Sequence, residues 1–282
     1  MQSVVITGVS SGIGLAAANV LLQQGFHVFG SVRKQSDADN LAKKLGPGFT
    51  PLVFDVTDEA AVHAAAGLVR NQLNNETLAG LVNNAGIAVP APLLHQRLAD
   101  FRSQMEVNLI GQLNVIQAFT PLLGADRSLK GRPGRIINIS SEAGLAGMPF
   151  VGAYAASKHA LEGLSESLRR ELMLYGIDVI IIGPGAIATP IWDKAEELDL
   201  TPYNHTDYIL AATGFKKYMI ENGRKGFPAE KVGALIATAL TTPRPRVRYA
   251  ILPGNPIVNF IQGHLPKRLI DNTIAKALGF KK

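Results

Sequence analysis

Residues 2–25 constrain the fold more than any other stretch of the chain. Gln2-Ser3-Val4-Val5-Ile6-Thr7 reads as a short buried strand that runs directly into Gly8-Val9-Ser10-Ser11-Gly12-Ile13-Gly14. An apolar helical pattern through Ala17, Ala18, Leu21 and Leu22 follows and stops at Gly25, a suitable C-cap. Strand, glycine turn and helix in that order are the context of a dinucleotide-binding turn. Glycines permit the tight turn and the close approach of a pyrophosphate, and the helix N-terminus offers unpaired N–H groups and a favourable dipole. The spacing, T-G-x-x-x-G-x-G, has one more residue between its first two glycines than the common G-x-G-x-x-G. Its place between strand and helix gives it meaning, since most glycine clusters mark ordinary turns.

Strand-like runs recur near residues 2–7, 27–32, 50–54, 79–83, 134–140, 177–183 and 247–252. Helical patterns lie between most of them, near 13–24, 37–45, 58–73, 97–123 and 152–175. Alternation of this kind, with strands rich in Val and Ile, predicts an α/β fold whose parallel sheet is covered on both faces. At 282 residues and 47 % hydrophobic content the chain can bury one large core. No internal repeat or low-complexity linker divides it, so a single domain over 1–282 is expected.

Tyr154-Ala155-Ala156-Ser157-Lys158 carries the chemistry. Free tyrosine and lysine titrate near pH ~10, too high for easy proton exchange at neutral pH. Four residues apart on a helix they share one face, roughly 6 Å from each other. The ammonium is expected to favour the phenolate and so lower the tyrosine pKa. A hydroxyl from Ser141, thirteen residues upstream, can orient a substrate oxygen beside the phenol. Such an assembly is an acid/base for a carbinol or carbonyl and suits hydride transfer. The same spacing is also common in solvated surface pairs, so the remaining motifs decide.

Those motifs resemble the short-chain dehydrogenase/reductase family over about residues 2–190. The resemblance is carried by the T-G-x-x-x-G-x-G turn, Asp55-Val56 after the third strand and Asn83-Asn84-Ala85-Gly86 after the fourth. Asn108 follows, then Ser141, Tyr154 and Lys158, then Pro184-Gly185 after the sixth strand. It implies a Rossmann-like, doubly wound sheet of about seven strands in the order 3-2-1-4-5-6-7. It also implies cofactor contacts from Gly8, Ser10, Ser11, Gly12, Ile13, Gly14, Asp55, Val56, Asn83, Ala85, Gly86, Tyr154, Lys158, Pro184, Gly185, Ile187 and Thr189. Tyr154 would act as general acid in reduction and base in oxidation. Lys158 would lower its pKa and bind the nicotinamide ribose. The family gap to the tyrosine selects Ser141 over Ser140 as the orienting hydroxyl. Asn108 would hold a water linking Lys158 to solvent, and a helix-interior asparagine bonded to backbone is compatible with that role.

Cofactor choice turns on Ser31-Val32-Arg33-Lys34, at the end of the second strand. An acidic residue at the position of Ser31 would bind the adenosine 2′-hydroxyl and select NAD. With no carboxylate there, and with Arg33 able to pair with a 2′-phosphate, NADP(H) is expected over NAD(H). This stretch, together with Tyr154–Leu164 and the long tail, resembles the branch containing 17β-hydroxysteroid and retinol dehydrogenases. That resemblance implies an apolar alcohol, ketone or aldehyde as substrate. It also implies a substrate lid at about 190–227 and pairing of the 97–123 and 152–175 helices in a homodimer or homotetramer. The rival reading is a non-catalytic, cofactor-sensing protein acting through a protein partner, which usually lacks the tyrosine or lysine. An epimerase or dehydratase of the extended branch fits poorly with the glycine spacing and the short chain.

Composition narrows the partners. There is no cysteine, hence no disulfide or thiolate chemistry, and the six scattered histidines form no metal-ligand spacing. The net charge of +6 is uneven: residues 243–282 hold eight basic residues against one acid, Asp271. No nucleic-acid motif or aromatic interleaving accompanies them, so nucleic acid is not expected. The basic, partly apolar tail at about 255–282 is expected to pack near the lid and close the substrate pocket. Weak peripheral contact with an anionic membrane is a secondary expectation. With a strand entered by residue 3 and no apolar run of bilayer length, a cytoplasmic protein is expected.

Overall fold

The computed structural model describes residues 1–251 and 265–280. Strands β1 (Ser3–Ile6), β2 (His27–Val32), β3 (Phe49–Val53) and β4 (Gly80–Asn83) alternate with helices α1 (Gly12–Gln23), α2 (Gln35–Leu45) and α3 (Glu59–Gln72). Helices α4 (Leu98–Met105) and α5 (Gly111–Phe119) precede β5 (Arg135–Ile139), and α6 (Gly152–Glu171) precedes β6 (Asp178–Pro184). The chain then makes β7 (Ile187–Ala188), α7 (Ile191–Glu196), α8 (Ile209–Arg224), β8 (Phe227–Pro228), α9 (Ala229–Thr241), β9 (Arg248–Ile251) and α10 (Lys267–Ala277).

Seven strands form one sheet in the order β3-β2-β1-β4-β5-β6-β9, every neighbouring pair parallel. This is the doubly wound order expected from the resemblance. Period-2 alternation sorts the side chains: Val4 and Ile6 join the core under α1, α2 and α9, whereas Val5 joins the one under α3 and α5. With both faces covered, the strands are mostly apolar, as is usual for parallel strands. The strand order reverses direction between β1 and β4, and the carboxyl ends of those strands open the crevice where ligands of such sheets bind.

The helix expected over 97–123 is interrupted. A π-turn at Glu106–Ile110 separates α4 from α5, and a 3-10 turn at Thr120–Leu123 ends the run. Between β7 and β8, which pair Ile187 with Phe227 and Ala188 with Pro228, the chain leaves the sheet and returns to the same place. Helices α7 and α8 make up most of that excursion. Arg224 clasps them together through Asp193 (3.0 Å) and Glu196 (2.7 Å). Among the described residues no helix is long and apolar enough to cross a membrane.

Candidate active site

The glycine turn is fixed by contacts only glycine can make. Gly8 and Gly12 hold φ values of +72° and +59°, a region L side chains rarely adopt. A Cβ on Gly14 would lie 2.2 Å from the Gly8 carbonyl oxygen and 2.6 Å from Asn84 Nδ2. Thr7 and Asn84 brace the turn: Thr7 Oγ1 accepts from the Asn84 and Ala85 amides, while Asn84 Nδ2 donates to the Thr7 and Gly8 carbonyls. Ser31 Oγ accepts from Gly8 N at 3.1 Å. Neither Thr7, Asn84 nor this role of Ser31 was singled out from sequence. Their signal is polar residues at the ends of otherwise apolar strands. Ser11 precedes α1 without a side-chain cap and is exposed like Ser10, an arrangement that could seat an anion at the first N–H groups of the helix. Ile13 packs partly into the core.

Three buried amides one helical turn apart tie α4 and α5 to the segment after β4. Gln104, Asn108 and Gln112 are each at most 1 % exposed. Gln104 Oε1 accepts from Val89 N (3.0 Å), and Asn108 Oδ1 accepts from Ile87 N (2.8 Å). Gln112 Nε2 donates to the Ala85 carbonyl (2.7 Å). Every second residue of an extended segment thus meets every fourth residue of a helix, since the two rises nearly match. Asn108 sits in the π-turn and also donates to Ile87 O (2.8 Å) and Ser157 Oγ (3.0 Å). The Asn108 side chain is thus bonded to backbone, an arrangement compatible with the water-holding role expected for this residue.

Ser141 follows β5 and opens a 3-10 turn by accepting from Ala143 N. Ser140 is buried and continues the ladder to Ile182, so Ser141 is the serine that faces Tyr154. Hydrogen bonding to the Ser141 hydroxyl acts to lower the Tyr154 pKa. Burial acts first and in the other direction, and with the nearby Glu142 carboxylate it holds Tyr154 above the ordinary tyrosine value. This corrects the expectation that Lys158 sets the phenol low. Lys158 Nζ stands 5.8 Å from the Tyr154 ring centroid and donates to the Ile139 carbonyl at 2.8 Å. Burial brings Lys158 down to about 8, with Glu162 opposing. Glu162 is in turn paired with Arg248 of β9 at 3.1 Å, so one cation of the basic stretch 243–282 is an internal partner and not a solvated charge. Gly86 lies between Asn108 Oδ1 and Lys158 Nζ, 3.1 and 3.8 Å from its projected Cβ.

The remaining expected residues line the same strand ends. Arg33 and Lys34 are exposed just beyond β2. Asp55 accepts from Thr57 N and Oγ1. Val56 is buried against Gly111, so it faces the core. Asn83 turns its side chain inward to Asn138 Oδ1 (2.9 Å), which leaves only its backbone for the crevice. Ala85 backs onto Gly8, and Thr189 Cγ2 stands 3.4 Å from the projected Cβ of Gly12. Pro184 ends β6, Gly185 N donates to Ile251 O, and the Ile187 carbonyl accepts from Trp192 Nε1. The glycine cradle, the uncapped helix end and Thr189 above it fit a bound dinucleotide.

Phe150, at φ +67° and buried, is the hub of a separate apolar cluster. Its ring meets Phe215 (5.2 Å), Tyr208 (6.3 Å) and Phe280 (6.3 Å). Leu278 packs on the same cluster, so the described end of the tail rests against α8. An apolar cleft between Pro90, Pro92, Phe150, Leu200, Phe215 and Met219 opens there. A larger cavity of about 330 Å³ around Ser3, His27 and Asn74 lies at the amino ends of β1 and β2, at the other end of the sheet and away from every residue above. The rest of the expected tail, 255–264 and 281–282, lies outside the described residues.

The family model described as short chain dehydrogenase matches residues 2–199. The chain is 39 % identical to an NADPH-dependent 3-dehydrocapnine reductase of Ornithobacterium rhinotracheale, covering 99 % of this chain and 98 % of that protein. It is 30 % identical to retinol dehydrogenase 16 of Mus musculus over 95 % of this chain and 86 % of that one. Among solved structures, a short-chain dehydrogenase from Streptomyces avermitilis matches with a TM-score of 0.76 at 26 % identity, over 99 % and 97 % of the two chains. Sequence order, sheet topology and these likenesses agree, and the chain belongs to the short-chain dehydrogenase/reductase family of oxidoreductases, which use a nicotinamide cofactor.

Proposed function

We propose that the protein is an NADP(H)-dependent reductase of an apolar ketone or aldehyde. The supporting observation is the convergence of Ser141, Tyr154 and Lys158 at the carboxyl end of β5, two strands from the β1 end that carries the glycine turn. The nicotinamide, when bound, supplies the hydride. Ser141 Oγ and Tyr154 Oη hold the carbonyl oxygen between them, and the phenol donates its proton as that oxygen gains charge. The same phenol serves as acid in reduction and as base in oxidation. Lys158 stands behind the phenol as the cation that stabilises it once the proton has left. Asn108 works through the backbone it holds, fixing Gly86 and Ile87 beside Lys158.

Exposed Arg33 and the absence of an acid at Ser31 support NADP(H), in keeping with the NADPH-dependent relative. The apolar cleft at Phe150 supports an apolar substrate. The 190–227 excursion would then serve as lid, and the chain end at Leu278 and Phe280 as its brace. The test is NADPH oxidation across a panel of ketones and aldehydes, with Tyr154→Phe as control. The reading expects turnover that Tyr154→Phe lowers ~10²–10⁴-fold with cofactor affinity kept. Undiminished turnover in that variant overturns the assignment.

A further inference from the structure

Ser141 lies between two points at which helix α6 grips the end of β5. On one side Lys158 donates to the Ile139 carbonyl at 2.8 Å. On the other, Glu162, one helical turn beyond Lys158, lies against Gly144, the last residue of the 3-10 turn that Ser141 caps. Glu162 Cγ and Oε1 stand 3.0 and 3.1 Å from the place a Gly144 Cβ would take. The carboxylate is itself fixed by Arg248 of β9. Arg248 Nε donates to both of its oxygens (3.3 and 3.1 Å), and Nη2 donates to Oε1 (3.1 Å). The guanidinium in turn lies over Gly183 of β6, with Cζ 3.0 Å from the projected Cβ. A side chain at either glycine would displace one partner of the pair.

The pair is well enclosed, with 13 % of the Glu162 side chain and 24 % of the Arg248 side chain exposed. Desolvation offsets much of the attraction in such a pair, so stability alone is a weak account of it. A bidentate pair does fix direction as well as distance. This one ties the edge strand β9 and the helix that carries Tyr154 and Lys158 to the turn that carries Ser141. Resting on the reductase reading above, we infer that Glu162 and Arg248 are positioning residues for the reaction: their ion pair holds the 141–144 turn against α6 and keeps the Ser141 hydroxyl in register with Tyr154. They act through Ser141, and a displacement of about 1 Å at a reacting site can cost ~10²-fold in rate.

The experiment uses Arg248→Met, which keeps the length without the charge, Glu162→Gln, which keeps the shape, and Arg248→Lys. The readouts are kcat for ketone reduction, the calorimetric Kd for NADPH, and hydrogen–deuterium exchange of residues 143–146. Those amides report the turn directly, since they donate to Ser141 Oγ, the Ser141 carbonyl and the Glu142 carbonyl. Arg248→Met and Glu162→Gln are expected to lower kcat about 10- to 100-fold and to speed exchange in the turn, with Kd for NADPH kept within about twofold. Arg248→Lys keeps the charge without the planar fork and should restore kcat only in part. Native kcat in Arg248→Met and Glu162→Gln, or native exchange in their turn, overturns the inference and leaves the reductase reading intact. A loss of NADPH affinity that parallels the loss of kcat also overturns it, because that marks a general defect of the fold. If the native protein turns over no ketone, the reductase reading fails, and exchange alone decides whether the pair holds the turn.

Discussion

Gly14 and Gly8 are packed so closely that a single methyl group cannot be placed between them: a Cβ on Gly14 would lie 2.2 Å from the Gly8 carbonyl oxygen. Gly14→Ala therefore has to push α1 away from the turn. Overpacking of this kind costs about 1–3 kcal/mol, and here the displaced groups are the N–H donors of the anion seat. The variant should show a lower Tm and a Kd for NADPH raised at least tenfold, read by calorimetry. Native affinity in Gly14→Ala would mean the turn does not carry the pyrophosphate.

Arg33→Asp should weaken NADPH and spare NADH. A charge-assisted pairing contributes ~1.5–3 kcal/mol, so the preference should drop about 10- to 100-fold or reverse. The check is kcat/KM for both cofactors. Equal values for the two in the native protein would remove the basis for the Arg33 assignment.

Lys158 gives the protein a pH signature. Its pKa is brought from 10.5 to about 8 by burial, so below the lower value the fold carries the penalty of a buried ammonium. From about pH 8 to 10.5 the unfolded chain binds the extra proton, and stability rises with pH through that window. Urea denaturation at pH 8 and pH 10 should show the native protein gaining on Lys158→Met by roughly 2–3 kcal/mol. Tyr154, held above its ordinary value, acts in the opposite sense only as pH passes 10. A flat difference between the two proteins would show that Lys158 is not buried as a cation.

Removing residues 267–282 takes Leu278 and Phe280 away from Phe150. If the chain end braces the lid, KM for apolar ketones should rise several-fold while kcat changes less. Steady-state kinetics and sedimentation with anionic liposomes distinguish the roles. Unchanged KM with lost liposome binding would make this segment a membrane contact instead.

The alternation of strands and helices, the glycine turn and the Tyr154–Lys158 spacing are legible because each depends on periodicity or on contacts between near neighbours in sequence, whereas the strand order rests on the family resemblance alone. A strand alternates every second residue and a helix returns every fourth, so Val4 to Ile6 and Tyr154 to Lys158 declare their faces without any tertiary information. Residues joined across the chain were not legible in that way. Gln104 and Gln112 look like surface amides until α4 and α5 are seen to run beside residues 85–89.

What the sequence by itself determined was an alternating α/β chain, a glycine turn at residues 8–14 between a strand and a helix, and a tyrosine–lysine pair on one helix face. Tertiary structure decided which environment each group meets. It buried Tyr154 and Lys158, so desolvation moves both pKa values against the charged form, opposite for the phenol to what helix spacing implies. It turned Asn83 and Val56 inward and gave Glu162 a partner from β9. Burial and long-range charge pairing depend on which distant segments arrive at a side chain, and local spacing contains no record of them.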